Sequence, residues 1–180
     1  MMATTKKNII ITGQPGIGKT TLIKRLSEEL KAYKPAGFYT AEIREEGDRK
    51  GFELVSLDGR KGLLSHVEIK SPFRVGKYGV DVRGFEEFLD FIHFFELETG
   101  LVIIDEIGKM ECFSNKFIRL LKDIFNSEKI VIATIAIKGG GFIAETKNRQ
   151  DVLLFKITCQ NRDSIITEVL QKIDSMTRKN

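Results

Sequence analysis

Residues 8–20, NIIITGQPGIGKT, constrain this chain more than any other stretch. The run NIIIT is short, apolar and β-branched, which predicts a strand buried on both faces. GQPGIGKT then satisfies G-x-x-x-x-G-K-[ST] at every fixed position. Gly13, Gly16 and Gly18 let the backbone curl with its N–H groups inward, and Gln14, Pro15 and Ile17 complete the turn. From Lys19 the pattern becomes helical: Leu22, Leu26, Leu30 and Tyr33 fall on one stripe, and Pro35 ends it. A strand, a glycine turn and a helix N-terminus in that order suit a polyphosphate. Lys19 supplies a compact charge to the β- and γ-phosphates, and the Thr20 hydroxyl can ligate Mg²⁺. The neighbouring Thr21 suits simple helix packing.

The remaining chain has the texture of an open α/β protein. Residues 36–68 read as a β-meander, short aromatic and β-branched runs separated by EEGDRK and DGRK. Residues 69–81 are loop-rich. FEEFLDFIHFF predicts a helix with Phe85, Phe88, Leu89, Ile92 and Phe95 on one face. Its phenylalanines suit a core far better than a base-stacking platform. LVIID is a second buried-type strand, and Ser114 opens a helix with Phe117, Leu120, Leu121, Ile124 and Phe125 inward. IVIATIAI, a short helix near 142–149, VLLFKIT and a final helix capped by Asp163 follow. Alternating buried strands and helices predict a mainly parallel sheet covered on both faces.

A bound nucleotide needs a metal, and the metal needs a carboxylate. Asp105 ends a buried strand, where ligands of such sheets collect, and is assigned to Mg²⁺. Glu106 follows it and can take or orient the proton of an attacking water. Adjacent strand residues leave on opposite faces, so unless the strand has ended the two acids cannot be equivalent ligands of one metal, and the expected division of labour is Asp105 toward the metal and Glu106 toward the water. Thr134, within the third strand, either contacts the γ-phosphate or the water, or is simply a β-branched residue that suits a strand.

Together, GQPGIGKTTL, GFYTAEIREEGDRKGF, RVGKYGVDVRGFE, VIIDEIGKMECFS, TIA and NRQDVLLFKIT with NRD resemble the small nucleoside-triphosphatase family that includes thermophile NTPases and the cancer-related nucleoside-triphosphatase. The resemblance spans nearly the whole chain, and its meander and DEIGKME blocks are more specific than the phosphate loop. It implies a RecA-like P-loop fold of the additional-strand, catalytic-glutamate class and Mg²⁺-dependent hydrolysis of several nucleoside triphosphates. It also implies that Gly13 to Thr20 bind the phosphates. The block Leu101, Val102, Ile103, Ile104, Asp105, Glu106, Ile107 and Gly108 would complete the nucleotide site, through Asp105 and Glu106. Lys109, Arg44 and Arg49 fall on family-like positions and are weaker candidates for stabilising transition-state charge. Cys112 stands where the family carries an aliphatic residue.

Two other protein classes use the same loop. DEIG also fits D-x-x-G, and NRQD (148–151) approaches the guanine-reading N-K-x-D, but with arginine for lysine and placed before its strand. A small nucleotide or nucleoside kinase would need an acceptor pocket and a basic lid, for which GDRK is a poor candidate. An RNA-binding module lacks an aromatic signature. The 180 residues suit one domain, and the net charge of +4 is scattered in basic pairs such as Lys6-Lys7 and Arg178-Lys179. Nucleic acid is therefore not indicated. Two cysteines and two histidines make a zinc site or a disulfide framework improbable. The N-terminal apolar run is too short for a signal peptide and no stretch approaches a membrane span, so a cytoplasmic monomer is the default expectation.

Overall fold

The computed structural model describes residues 6–178. The start of the N-terminal stretch, residues 1–5, and Lys179 of the last basic pair lie outside the described residues. Strand β1 (Asn8–Thr12) is buried along its whole length, as its composition predicts. Its odd and even residues serve different layers. Ile9 and Ile11 pack with Leu22, Ile23 and Leu26 of α1 (Lys19–Glu29) and with Val169 and Ile173 of α5 (Ile165–Thr177). Ile10 packs on the opposite face, in the cluster built by Phe85 and Phe88 of α2 (Val82–Asp90) and Phe117 and Phe125 of α3 (Asn115–Asn126). A strand covered on both faces has no polar side to show, hence three consecutive isoleucines.

The nine strands form one sheet in the order β5-β6-β4-β3-β2-β7-β8-β1-β9. The half made of β2 (Ala36–Glu45), β7 (Leu101–Ile107), β8 (Ile130–Ile135), β1 and β9 (Val152–Lys156) is parallel. The meander of β2, β3 (Asp48–Ser56) and β4 (Lys61–His66) continues it as an antiparallel half. The loop-rich segment contributes a small hairpin, β5 (Arg74–Val75) and β6 (Tyr78–Val80), at the edge. β2 pairs with β7 only from Ala36 to Phe38, opposite Val102 to Ile104. The rest of the β2–β3 hairpin therefore stands beyond the carboxyl end of β7.

Three local expectations are corrected. Helix α1 does not run on to Tyr33: it stops at Glu29, and residues 31–33 form a tighter 3₁₀ turn leading to Lys34 in the left-handed region. Helix α2 begins earlier than its aromatic run, because Asp81 caps it by accepting from the Gly84 N–H, and ends at Asp90. Phe95 is thereby left half exposed, while Phe94 enters the core. At α5 the cap position belongs to Ser164, not Asp163, and its side chain makes no capping bond. The Ser114 cap of α3 stands as expected, its hydroxyl accepting from the Phe117 N–H at 2.9 Å. Helix α4 (Phe142–Lys147) precedes β9. No helix among the described residues is long and apolar enough to cross a membrane.

Candidate active site

The turn between β1 and α1 takes its shape from two glycines in the left-handed region, Gly16 (φ 76°) and Gly18 (φ 109°), which side-chain-bearing residues rarely adopt. Gly18 also holds the N-cap of α1, and no side chain caps that helix. Its first N–H groups thus remain available, the arrangement that favours an anion. Gln14, Pro15 and Gly16 are exposed, and Ile17 closes the turn by donating its N–H to the Gln14 carbonyl at 3.2 Å. Lys19 reaches back over the turn: its ammonium donates to the carbonyls of Gly13 (3.1 Å) and Gln14 (3.4 Å).

Strand β7 brings the acids to the same place. Leu101, Val102, Ile103, Ile104 and Ile107 are fully buried, so these members of the expected nucleotide-binding block are core residues that carry Asp105 and Glu106 to the sheet edge. Asp105 sits between two hydroxyls. Thr20 donates to Oδ2 at 2.6 Å, and Thr134 of β8 donates to Oδ1 at 2.5 Å. Thr134 therefore belongs to the cluster and orients the acid. Burial raises the Asp105 pKa, and the two hydroxyls and Lys19 offset part of that rise.

Glu106 is less enclosed. Its Oε2 lies 3.6 Å from the Lys19 ammonium. Burial raises its pKa too, against the pull of Lys19. The Lys19 charge acts on both acids, and its contact is with Glu106. Across this step β7 advances from Ile104 to Ile107 while β8 advances only from Ala133 to Ile135, so the regular alternation of β7 is broken.

The other basic candidates make no ion pair with Asp105 or Glu106 among the described residues. Lys109 is exposed and makes no ion pair among the described residues. Arg44 and Arg49 sit on the outer part of the β2–β3 hairpin, both held by Glu42, at 2.6 and 3.0 Å. Their partner is this surface carboxylate and not a member of the cluster. Two residues that the sequence did not single out do border it. Lys147 of α4 donates to the carbonyls of Ala136 (2.6 Å) and Ile137 (2.9 Å), just past the end of β8, and its charge acts on Glu106. Glu111 is buried beneath Gly108. Nothing local distinguishes either from a surface charge; only the chain path does.

The oxygen set of Thr20 and Asp105 fits Mg²⁺, which takes one or two protein oxygens and completes its shell with phosphate and water. No cluster of three or more His, Cys, Asp or Glu residues suited to a metal occurs among the described residues, so a cage for a softer ion is not offered.

An open α/β sheet with a glycine turn after β1, and an acid pair near the end of the strand two places away, brings Lys19 and both acids together at the carboxyl edge, where ligands of such sheets collect. The NTPase family model matches residues 8–170, and the chain belongs to that family. It is 47% identical to nucleoside-triphosphatase THEP1 of Thermotoga sp. (strain RQ2) over 163 residues, 90% of this chain and 92% of the relative. It is 37% identical to the human cancer-related nucleoside-triphosphatase, covering 94% of this chain and 97% of that one. The crystal structure of THEP1 from the hyperthermophile Aquifex aeolicus superimposes with a TM-score of 0.80 at 37% identity, over 91% of this chain and 97% of that chain.

Proposed function

We propose that this protein is a nucleoside-triphosphate phosphohydrolase, releasing diphosphate and phosphate with Mg²⁺ and with little regard for the base. The observation that carries the reading is the convergence of Lys19, Thr20, Asp105 and Glu106 from separate segments onto one edge of the sheet. The relatives named as nucleoside-triphosphatases support the same reaction.

In this mechanism the turn from Gly13 to Thr20 cradles the phosphates with backbone N–H groups. Lys19 gives up its carbonyl contacts and places its charge on the β- and γ-oxygens. Thr20 and Asp105 would hold Mg²⁺, and Thr134 fixes the Asp105 carboxylate. When bound, Mg²⁺ neutralises charge on the transferred phosphoryl group. Glu106, beside Lys19 and outside the Asp105 pocket, orients the attacking water and accepts its proton.

The guanine-switch alternative loses its base reader. Asp151 accepts the N–H groups of Lys7 and Asn8, and its carboxylate accepts from the Asn8 side chain at 3.0 Å. It therefore lies at the amino end of β1, while the phosphate turn follows the carboxyl end. Arg149 is paired with Asp151 at 2.7 Å. NRQD thus ties the opposite edge of the sheet together.

The test is phosphate release by the purified protein with Mg²⁺ and ATP, GTP, CTP and UTP side by side, with and without nucleoside acceptors. Comparable release from all four is expected. A preference for one base beyond about 10³-fold, the scale that hydrogen-bonded readout provides, contradicts broad use. Phosphate transfer to an acceptor in place of release to water overturns the hydrolase reading.

A further inference from the structure

Glu111 is an anomaly in an otherwise conventional core. It is 5% exposed, within a 3₁₀ turn (Glu111–Phe113) between β7 and α3. A buried carboxyl without a cation partner is costly unless it does something or stays neutral. No salt bridge reaches it among the described residues. Its surroundings are the backbone N–H groups of Gly108 and of Glu111 itself, with Glu106 and Asp105 as the charges that act on it from β7. The charged groups of the neighbouring helices are engaged with each other. Glu86 of α2 accepts from the Ser114 hydroxyl at 2.6 Å, and Lys116 of α3 donates to the Glu86 carbonyl at 3.1 Å and to Asp90.

The geometry around Gly108 says which group Glu111 serves. A Cβ built on Gly108 would stand 2.7 Å from Glu111 Oε2 and 3.1 Å from Glu106 Oε1. The two carboxyl groups share the space over one glycine, and no side chain could occupy it without displacing them. Glu106 Oε2 lies 3.6 Å from Lys19, while its Oε1 and Glu111 Oε2 both border the space over Gly108.

We propose that Glu111 is a positioning residue for Glu106, a neutral carboxyl group whose O–H holds the Glu106 carboxylate over Gly108. Burial and the neighbouring acids support the neutral form, since together they push the Glu111 pKa up to about 8. A neutral acid offers one O–H donor, and the next oxygen over Gly108 is Glu106 Oε1. Held by both an ammonium and an O–H, Glu106 keeps one orientation for the water it activates. Once Glu111 ionises, the two carboxylates repel and the orientation is lost. The inference rests on the hydrolase reading.

The experiment compares wild type with Glu111→Gln, Glu111→Leu and Gly108→Ala, measuring ATP affinity and single-turnover hydrolysis separately. Glutamine keeps a donor of the same shape and should retain the rate within a few fold. Leucine removes the donor and should slow hydrolysis by roughly 10-fold or more with ATP affinity within a few fold, on the scale of one lost hydrogen bond to a charged group. Gly108→Ala should slow it similarly, because its methyl group displaces two flexible side-chain ends and no backbone. The wild-type rate should fall above a pH of about 8, and that alkaline loss should shrink in Glu111→Gln. A leucine variant that hydrolyses like wild type, a glutamine variant as slow as leucine, or affinity falling in step with rate would each overturn the positioning role. If the leucine variant does not fold, the glutamine pH profile and Gly108→Ala decide. Wild type that hydrolyses no nucleoside triphosphate defeats the parent reading, and this one with it. Active wild type with an indifferent Glu111 defeats only this one.

Discussion

The hydroxyl of Thr20 donates to Oδ2 of Asp105 at 2.6 Å, joining residues 85 positions apart in the chain. This bond connects the first turn of α1 to the end of β7 and fixes where the phosphate turn meets the acid pair. Most of what can be tested about the site follows from the groups around it.

Lys19→Ala removes a charge used by both bound nucleotide and transition state. Affinity for ATP and turnover should therefore fall together. Equilibrium binding and steady-state hydrolysis on the folded variant check this, and unchanged values for both would remove Lys19 from the site.

Glu106→Gln preserves size while removing the base. Single-turnover hydrolysis should slow by roughly 10²–10⁴-fold, the usual worth of positioned acid–base catalysis. Nucleotide affinity should persist, because Lys19, Thr20 and the turn are untouched. Hydrolysis surviving within a few fold assigns the base elsewhere.

Asp105→Asn keeps the shape of the acid but not its charge. Activity should drop and recover in part as Mg²⁺ is raised, which a metal titration of the rate reveals. Thr134→Val leaves one buried Asp105 oxygen without its donor, at a cost of about 1–3 kcal/mol in stability. In the Asp105→Asn background the same change should cost less. Equal cost in both backgrounds would show that the two side chains do not interact.

Stability should depend on pH through Glu111. Its pKa rises from 4.5 to about 8 on burial, so the folded protein binds this proton more tightly than the unfolded chain. The stabilisation is complete below the unfolded value and is lost as pH rises through the folded one. Within that window the loss approaches about 1.4 kcal/mol for every pH step of one. The stability of Glu111→Gln relative to wild type should grow across the window and level off above it. Denaturant midpoints below, inside and above the window measure the gap, and a constant gap would mean that the acid is not held protonated.

The glycine turn and its flanks were legible because their backbone demands are local. Gly16 and Gly18 need positive φ, Lys19 and Thr20 are fixed by spacing, and the isoleucines of β1 show burial on both faces. Ser114 could be read as a cap for the same reason, since its bond spans three residues. The end of α2 could not: helical spacing puts Phe95 on the stripe, but the helix stops at Asp90 and the chain beyond it buries Phe94 instead. The same limit applies to charges. By local chemistry Lys109, Arg44, Arg49, Lys147 and Glu111 all read as solvated charges, and only the family resemblance marks the first three. The β2–β3 hairpin gives Arg44 and Arg49 to Glu42, while α4 returns Lys147 to the end of β8. The turn after β7 buries Glu111 under Gly108. Sequence alone determined the glycine turn, the position of the acid pair on its strand and the layered sheet, because each is written in short-range spacing. Tertiary structure decided which distant charges reach the acids, because that depends on chain paths that only the packed sheet defines.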